Sequence, residues 1–445
     1  MNTHTDKPGF IYKAFKSYLR FFHDKVYYRS VYVLNKENIP QEGKPLIIVS
    51  NHQNTLNDAL AVLFSLDDRK PCFITRGDVF NIRPFVSRFL YAIGLLPSYR
   101  LSHEGEDSLC RNKDTFRISS SELLKGRTIV MFPEAGHQDK HWLGTFSYGY
   151  LRLAFEAAQK GNFEKDICIL PSCNHYSSYF GIRNEVMVRY GKPISLMPYY
   201  ELYKSKPRTA QREINRLVRE QISSMMLDVR DVEHYDEIDL IRNTYPTDQS
   251  GQYVPLPERL SQDQNLVFTL ERRREENPAQ IDNIYQSAAI LKGHISRYGI
   301  SDRHIFNIPG ITGLICTSVA LLVSFPLWLF SCWPSLPIYW FAKWLSSKTE
   351  DRMWDGAFLY ASAMLLTLPL CAIVTLVAVG IKISWIKAIV YVMLFPALIS
   401  FCWNWYRRLK DVVSGFSRRM NRKTIDPMVT YLAKELDNSI KNTDK

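Results

Sequence analysis

Apolar residues recur along this chain in three distinct patterns. Between about residues 26 and 200, the short runs VYVL, PLIIV, CFIT, TIVMF, DICILP and VMVRYG alternate with helical patterns. Such runs read as strands, and their alternation with helices predicts an α/β domain, a mixed sheet flanked by helices. From Tyr199 to Phe306 the pattern turns helical and charged. In TAQREINRLVREQISSMML, Ile214, Leu217, Val218, Ile222, Met225 and Met226 keep the spacing of a core-facing stripe. The turn-rich NTYPTDQSGQYVPLPERL, Asn243 to Leu260, reads as a connection.

From Ile311 onward the chain becomes apolar. One run, ITGLICTSVALLVSFPLWLFSCWPSLPIYWFAKWL, is interrupted by Trp333-Pro334 and Pro337, which predicts a crossing with a short return or a re-entrant pair. A second spans Gly356 to Gly380 and a third about Ser384 to Tyr406, each with the roughly 20 residues that cross a hydrocarbon core. Lys343, Lys348 and Arg352 precede the second run, and Arg407, Arg408 and Lys410 follow the third. Positive charge marks the cytoplasmic side, so these two runs read as a membrane hairpin with the N-terminal domain in the cytoplasm. Lys382 and Lys387, in the short loop, weigh against that orientation. The expected organisation is an amphipathic interfacial helix over 1–25, an α/β domain over 26–200 and a helical extension over 201–306. A transmembrane region over 307–406 and a cytoplasmic basic tail over 407–445 complete it.

Charge and cysteine usage sharpen this picture. The 56 Lys+Arg against 44 Asp+Glu leave a net charge of +12, which favours an anionic partner. The eight cysteines form no C-x-x-C pair, which argues against a zinc ribbon and fits a reducing compartment. The amino terminus shows no leader cleavage pattern. It reads GFIYKAFKSYLRFF, with Ile11, Phe15, Tyr18, Leu19 and Phe22 on one stripe and Lys13, Lys16 and Arg20 on another face. That arrangement suits a helix lying in a membrane interface.

Polar clusters follow the strand-like runs, where an open α/β sheet keeps its site. SNHQNTLNDAL follows PLIIV and carries His52, Asn57 and Asp58. CFITRGDVF brings Arg76 out of a strand; GLLPSYR holds Gly94 at a tight turn and Arg100 beyond it. FPEAGHQDKH supplies Glu134, Gly136 and His137, and ILPSCNH places Pro171 at a strand end.

In this order the clusters resemble the phospholipid/glycerol acyltransferase family, the glycerol-3-phosphate and lysophosphatidate acyltransferases. An Asn-His followed by an Asp matches Asn51, His52 and Asp58, with QNTLN making a longer spacer than in many members and resembling the family's longer, membrane-anchored branch. A Gly with an Arg six positions on matches Gly94 and Arg100. Phe132, Pro133 and Glu134 match the third motif, which then departs with Ala135 for Gly and His137 where many members have Arg. Pro171 matches the Pro that ends a strand, and VRYGKPI, Val188 to Ile194, resembles the closing strand. The resemblance covers residues 25–200 well and 200–306 more loosely.

It implies transfer of a fatty acyl group from acyl-CoA or acyl carrier protein to glycerol-3-phosphate, or alternatively to 1-acylglycerol-3-phosphate, in phospholipid synthesis. No cofactor or nucleic acid is expected, and a lipid membrane is. His52 would take the acceptor hydroxyl's proton and Asp58 would fix the imidazole tautomer, with Asn57 the competing but uncharged candidate. Arg100, then Arg76, would bind the acceptor phosphate, each such contact worth about 2–5 kcal/mol. Glu134 would bind acceptor hydroxyls or orient a loop. Gly136 would allow close backbone approach, as an oxyanion donor.

Three rival readings compete. A metal-dependent membrane hydrolase would use His137, Asp139 and His141 beside His52 and Asp58. A membrane scaffold or transport-coupled domain would leave the pair vestigial, but the mid-membrane stretches lack the Asp and Glu of a proton-coupled transporter. A serine hydrolase is disfavoured by the lack of a G-x-S-x-G elbow.

Overall fold

The computed structural model describes residues 8–77, 80, 84–98, 107–134, 140–245, 254–349 and 354–441. The chain folds as two compact units, one formed by 1–226 with 343–361 and the other by 227–342 with 362–445.

The first unit is built on an eight-stranded mixed sheet. Its strands are β1 (Tyr28–Leu34), β2 (Leu46–Ser50), β3 (Cys72–Arg76), β4 (Leu95–Ser98), β5 (Thr128–Met131), β6 (Cys168–Tyr176), β7 (Asn184–Tyr190) and β8 (Ile194–Ser195). They lie in the order β1-β7-β6-β2-β5-β3-β4, with β8 paired to β6. Strand β2 is central and parallel to both β5 and β6, and β3 is parallel to β5 and β4. The carboxyl ends of β2, β3, β4, β5 and β6 therefore share one edge, where a parallel arrangement places its site. Strand β2 is buried throughout, which explains why PLIIV carries no polar alternation.

The helices α1 (Phe10–Phe22), α2 (Thr55–Ser65), α3 (Pro84–Ala92), α4 (Asp107–Leu124), α5 (Gly149–Lys160), α6 (Tyr200–Ser205) and α7 (Pro207–Met225) complete this unit. In its core Ile47, Val49, Ile129 and Ile169 meet Leu151 and Phe155 of α5 and Ile214, Val218 and Ile222 of α7. The predicted stripe of α7 is thus spent on the sheet, and the boundary expected near residue 200 falls after Met226.

Several local expectations are corrected. Pro171 does not end a strand; it lies inside β6, opposite Val49. Its carbonyl accepts from Gly191 N–H at 2.8 Å, in the gap between β7 and β8. The missing proline N–H costs no ladder bond there. The chain after Gly94 is not only a turn, because Leu95 to Ser98 add an edge strand that tolerates Pro97. The closing strand stops at Tyr190, and Ile194 already belongs to β8. On α1, Ile11 is 84% exposed while Lys16 is buried. Lys16 donates to the carbonyls of Asp67 and Arg69, the latter at 3.0 Å, and burial pushes its ammonium down to about 8. A long lysine can bury its stem wherever carbonyls meet its head, which periodicity does not reveal.

The second unit is helical: α8 (Tyr235–Thr244), α9 (Leu256–Glu276), α10 (Pro278–Tyr298), α11 (Arg303–Phe306), α12 (Ile311–Ser346), α13 (Trp354–Lys382), α14 (Trp385–Met393), α15 (Phe395–Met420) and α16 (Arg422–Lys441), with the last turn of α12 and the first two of α13 in the first unit. Helix α9 begins inside the stretch read as a connection, because Pro257 sits in its first turn, where its absent N–H is no loss. The segment expected as a basic tail from 407 is helical: α15 runs on to Met420, and α16 buries Ile425, Val429, Leu432 and Leu436. Arg418, 1% exposed, ties α15 to the Ile305 carbonyl at 3.2 Å and to Asp426 at 2.7 Å.

Helices α12 and α13 are long and apolar enough to cross a membrane, and α14 with α15 pass the same test as a pair bent by 52°. The expected break in the first run is absent, since α12 continues through Pro326, Pro334 and Pro337. Pro334 frees the Phe330 carbonyl four residues back, and Tyr391 donates its hydroxyl there at 2.8 Å. The third run, expected as the second arm of a hairpin, is a pair of helices bent by 52°. Pro396 stands in the first turn of α15 and has no N–H to offer the Val392 carbonyl of α14, four residues back.

Candidate functional site

Strand β2 ends at Ser50, and the four residues before α2 make a turn that faces β6. Asn51 clamps β6 by pairing with the Asn174 backbone: its Oδ1 accepts from the N–H at 2.7 Å and its Nδ2 donates to the carbonyl at 2.9 Å. Thr55 then starts α2 with φ of 44°, a left-handed conformation costly for a β-branched residue. Such strain persists only when its surroundings over-determine it.

Asp58, in the first turn of α2, reaches back over this turn. Its Oδ2 accepts from the backbone N–H groups of Gln53 (2.8 Å) and Asn54 (2.7 Å), donors that a helix start leaves open. The same oxygen lies 3.0 Å from His52 Nδ1. Its Oδ1 accepts from Tyr176 Oη at 2.8 Å and from Asn174 Nδ2 at 3.5 Å. Burial, then the charge of Asp58, push the Tyr176 hydroxyl well above the usual tyrosine range, so it remains a donor. The carboxylate is fully buried and His52 is 23% exposed. An ionised carboxylate only accepts, so Nδ1 carries the imidazole proton and Nε2 is the acceptor. Phe132 stacks on the His52 ring at 4.6 Å, fixing its plane.

Glu134 lies three residues beyond β5 and bonds to the same turn. Oε1 accepts from the His52 backbone N–H at 2.9 Å, and Oε2 from Gly144 N–H at 3.1 Å. These bonds favour the carboxylate, but burial outweighs them and raises the group to about 7. Glu134 thus links the His52 backbone to that of Gly144. Beside it, Gln53 Nε2 donates to the carbonyls of Lys140 and Trp142, and Gln53 Oε1 accepts from Tyr179 Oη at 2.7 Å. Tyr179 Oη also lies 2.9 Å from His141 Nδ1. One hydroxyl hydrogen cannot serve both, so His141 Nδ1 donates.

The remaining sequence candidates divide as follows. Gly94 has φ of 96°, and a Cβ there would stand 2.6 Å from the Pro71 carbonyl, so it lets two segments of the backbone approach closely. Arg76 ends β3 on the edge that carries His52. Arg100, Gly136 and His137, with Asp139, lie outside the described residues. Asn57 turns from His52, its Nδ2 donating to Asn54 Oδ1 at 3.2 Å and lying 3.5 Å from Tyr27 Oη. Pro171 shares β6 with Asn174 and Tyr176.

Sequence reasoning missed Tyr176, Asn174, Gln53 and Tyr179. The one signal available was alternation along β6, where Ser172, Asn174 and Tyr176 share a face. That β6 lies beside β2 is decided by the sheet order.

A family model described as Acyltransferase matches residues 30–174. No curated protein matches the chain. Among solved structures, the 1-acyl-sn-glycerophosphate (LPA) acyltransferase PlsC of Thermotoga maritima is similar at 17% identity. The match covers 46% of this chain and 79% of that one, with a TM-score of 0.32. The matched residues hold all of β2, α2, β3 and β5 and most of β1 and β6, and with them Asn51, Gln53, Asn54, Asp58, Phe132, Glu134 and Asn174 but not Tyr176 or Tyr179. By this match the N-terminal α/β domain belongs to the acyltransferase family.

Proposed function

We propose that the chain transfers a fatty acyl group from a thioester, acyl-CoA or acyl carrier protein, to the hydroxyl of glycerol-3-phosphate, with His52 as general base. The observation that carries this reading is the Asp58–His52 bond, which puts the ring proton on Nδ1 and makes Nε2 the proton acceptor of a partly exposed imidazole. Nε2 takes the hydroxyl proton as the oxygen attacks the thioester carbonyl. The imidazolium, stabilised by Asp58, returns that proton to the leaving thiolate as the tetrahedral intermediate collapses. The ester and the free thiol then account for every atom, with no covalent enzyme intermediate.

Glu134 holds the backbone of His52, and Arg100 and Arg76 are our candidates for the acceptor phosphate, with Gly136 as oxyanion donor. The membrane hairpin of α13 with α14 and α15 would carry Lys343, Lys348, Arg407, Arg408 and Lys410 on the cytoplasmic side, with the site facing the cytoplasm. The runner-up acceptor, 1-acylglycerol-3-phosphate, presents the same phosphate and a free hydroxyl.

The test is acyl transfer in detergent-solubilised membranes with a labelled thioester and each acceptor, wild type against His52→Ala. Transfer to glycerol-3-phosphate that falls by about 10³-fold in the variant supports the reading. Transfer only to lysophosphatidate keeps the chemistry and changes the acceptor. A variant as active as wild type removes His52 from the mechanism.

A further inference from the structure

The first two turns of α13 fold with the N-terminal unit, although the helix they open is long and apolar enough to cross a membrane. They seat on the turn that carries His52. A Cβ on Gly356 would stand 2.9 Å from Asn57 Nδ2, 3.3 Å from Tyr27 Oη and 3.4 Å from Asn54 Oδ1. No larger residue lets the helix come this close without moving the Asn57 amide. Tyr27 Oη donates to the Gly356 carbonyl at 3.4 Å, and one helical turn on, Tyr360 Oη donates to the Leu19 carbonyl at 2.7 Å. The Tyr27 and Tyr360 rings meet edge-on at 5.3 Å.

The atoms that Gly356 touches lead directly to the pair. Asn57 Nδ2 donates to Asn54 Oδ1 at 3.2 Å, and Asn54 N–H is one of the two backbone donors on Asp58 Oδ2, the oxygen that holds His52. Among the described residues Asn57 Oδ1 is buried with no hydrogen-bond partner, and the bonds seen hold the amide from its Nδ2 side. Thr55, between these two asparagines, is the strained residue, with φ of 44°. A turn under such strain relaxes when one of its supports is withdrawn.

We propose that Gly356 is a positioning residue for the His52–Asp58 pair, and that the first turns of the apolar helix α13 are a structural wall of the site. The inference rests on the proposed general-base reading for its effect on rate, and on geometry alone for its effect on the turn. It gives the apolar helix a part in catalysis beyond anchoring, because the segment that enters the lipid layer also sets the angle of the base.

Gly356→Val tests it, with Gly356→Ala as a smaller intrusion that keeps the test readable should the valine variant not fold. In Gly356→Val, kcat is expected to fall at least about ten-fold with KM for both substrates within about two-fold, and Gly356→Ala to recover most of the rate. Hydrogen exchange read by mass spectrometry, which needs no activity, should rise about ten-fold in the peptide holding Gln53 and Asn54, with β5 and β6 unchanged. If wild type shows no His52-dependent transfer, the general-base reading falls and the exchange result alone decides this one. Unchanged exchange, a loss carried wholly by KM, or a rise spread over the whole unit would each overturn the proposal.

Discussion

Around the His52 turn, Ser50, Asn51, Gln53, Asn54, Asn57 and Asp58 are all buried, whereas along α12 Leu322 and Val323 are 75% and 76% exposed. The turn buries polar groups and holds them by directed bonds: one carboxylate oxygen receives two backbone N–H groups and an imidazole. Helix α12 satisfies most of its backbone within itself, with Tyr391 taking the Phe330 carbonyl that Pro334 frees, and it offers apolar surface to its surroundings, as a spanning segment would. In the first region a single atom fixes a geometry, since an unpaired buried polar group is costly. In the second, substitution of one apolar side chain by another leaves the arrangement intact, except where helices touch, as where Trp405 Nε1 donates to Ser324 Oγ at 3.1 Å.

The largest effect is expected at Asp58. Asp58→Asn removes the charge that stabilises the imidazolium and frees the tautomer, so on the proposed mechanism kcat should drop by about 10²–10⁴-fold, read by steady-state transfer. A smaller loss would place the base elsewhere. Tyr176→Phe deletes one donor to the same carboxylate and leaves the Asn174 amide at 3.5 Å. About 1–2 kcal/mol of stability should be lost, with a fall in kcat of up to about ten-fold. Thermal unfolding and turnover measured together check it, and a loss as large as that of Asp58→Asn would mean that Tyr176 itself meets the substrate.

Glu134 supplies a pH dependence. Its group is raised from an ordinary 4.5 to about 7 by burial. Its contribution to stability is therefore fully present below about 4.5 and is lost as pH rises through about 7. Glu134→Gln should remove that slope, on the order of 1 kcal/mol per pH unit across the window, in thermal unfolding against pH. An identical slope in both proteins would show that the burial is relieved by solvent. The smallest effect is expected from Leu322→Ala, within about 0.5 kcal/mol in the same assay. A large loss there would mean that this face of α12 meets protein rather than lipid.

Part of the site could be read along the chain because its parts are local. Gln53, Asn54 and Asp58 lie within one strand-to-helix turn, so a polar cluster after PLIIV already marks the place. Tyr176 stands 118 positions from Asp58. Its role depends on β6 pairing beside β2, a long-range choice that no local spacing encodes. Lys16 shows the same limit in the opposite direction, since its head is buried by carbonyls 51 and 53 positions away. The prolines show it within one residue type. Pro334 lies within an unbroken α12, its freed carbonyl taken up by Tyr391, while the pair that meets just before Pro396 is bent by 52°.

By itself the sequence determined the classes of element and their order: buried strands alternating with helices, charged helices, then apolar helices. Periodicity and hydropathy are properties of neighbouring residues, and burial of one face against another is enough to act on them. Only the tertiary structure decided which strands stand side by side, which polar atoms hold Asp58, and that Gly356 presses against Asn57. Those outcomes depend on contacts between distant segments, and a hydrogen bond forms only where the fold brings its two ends within about 3 Å.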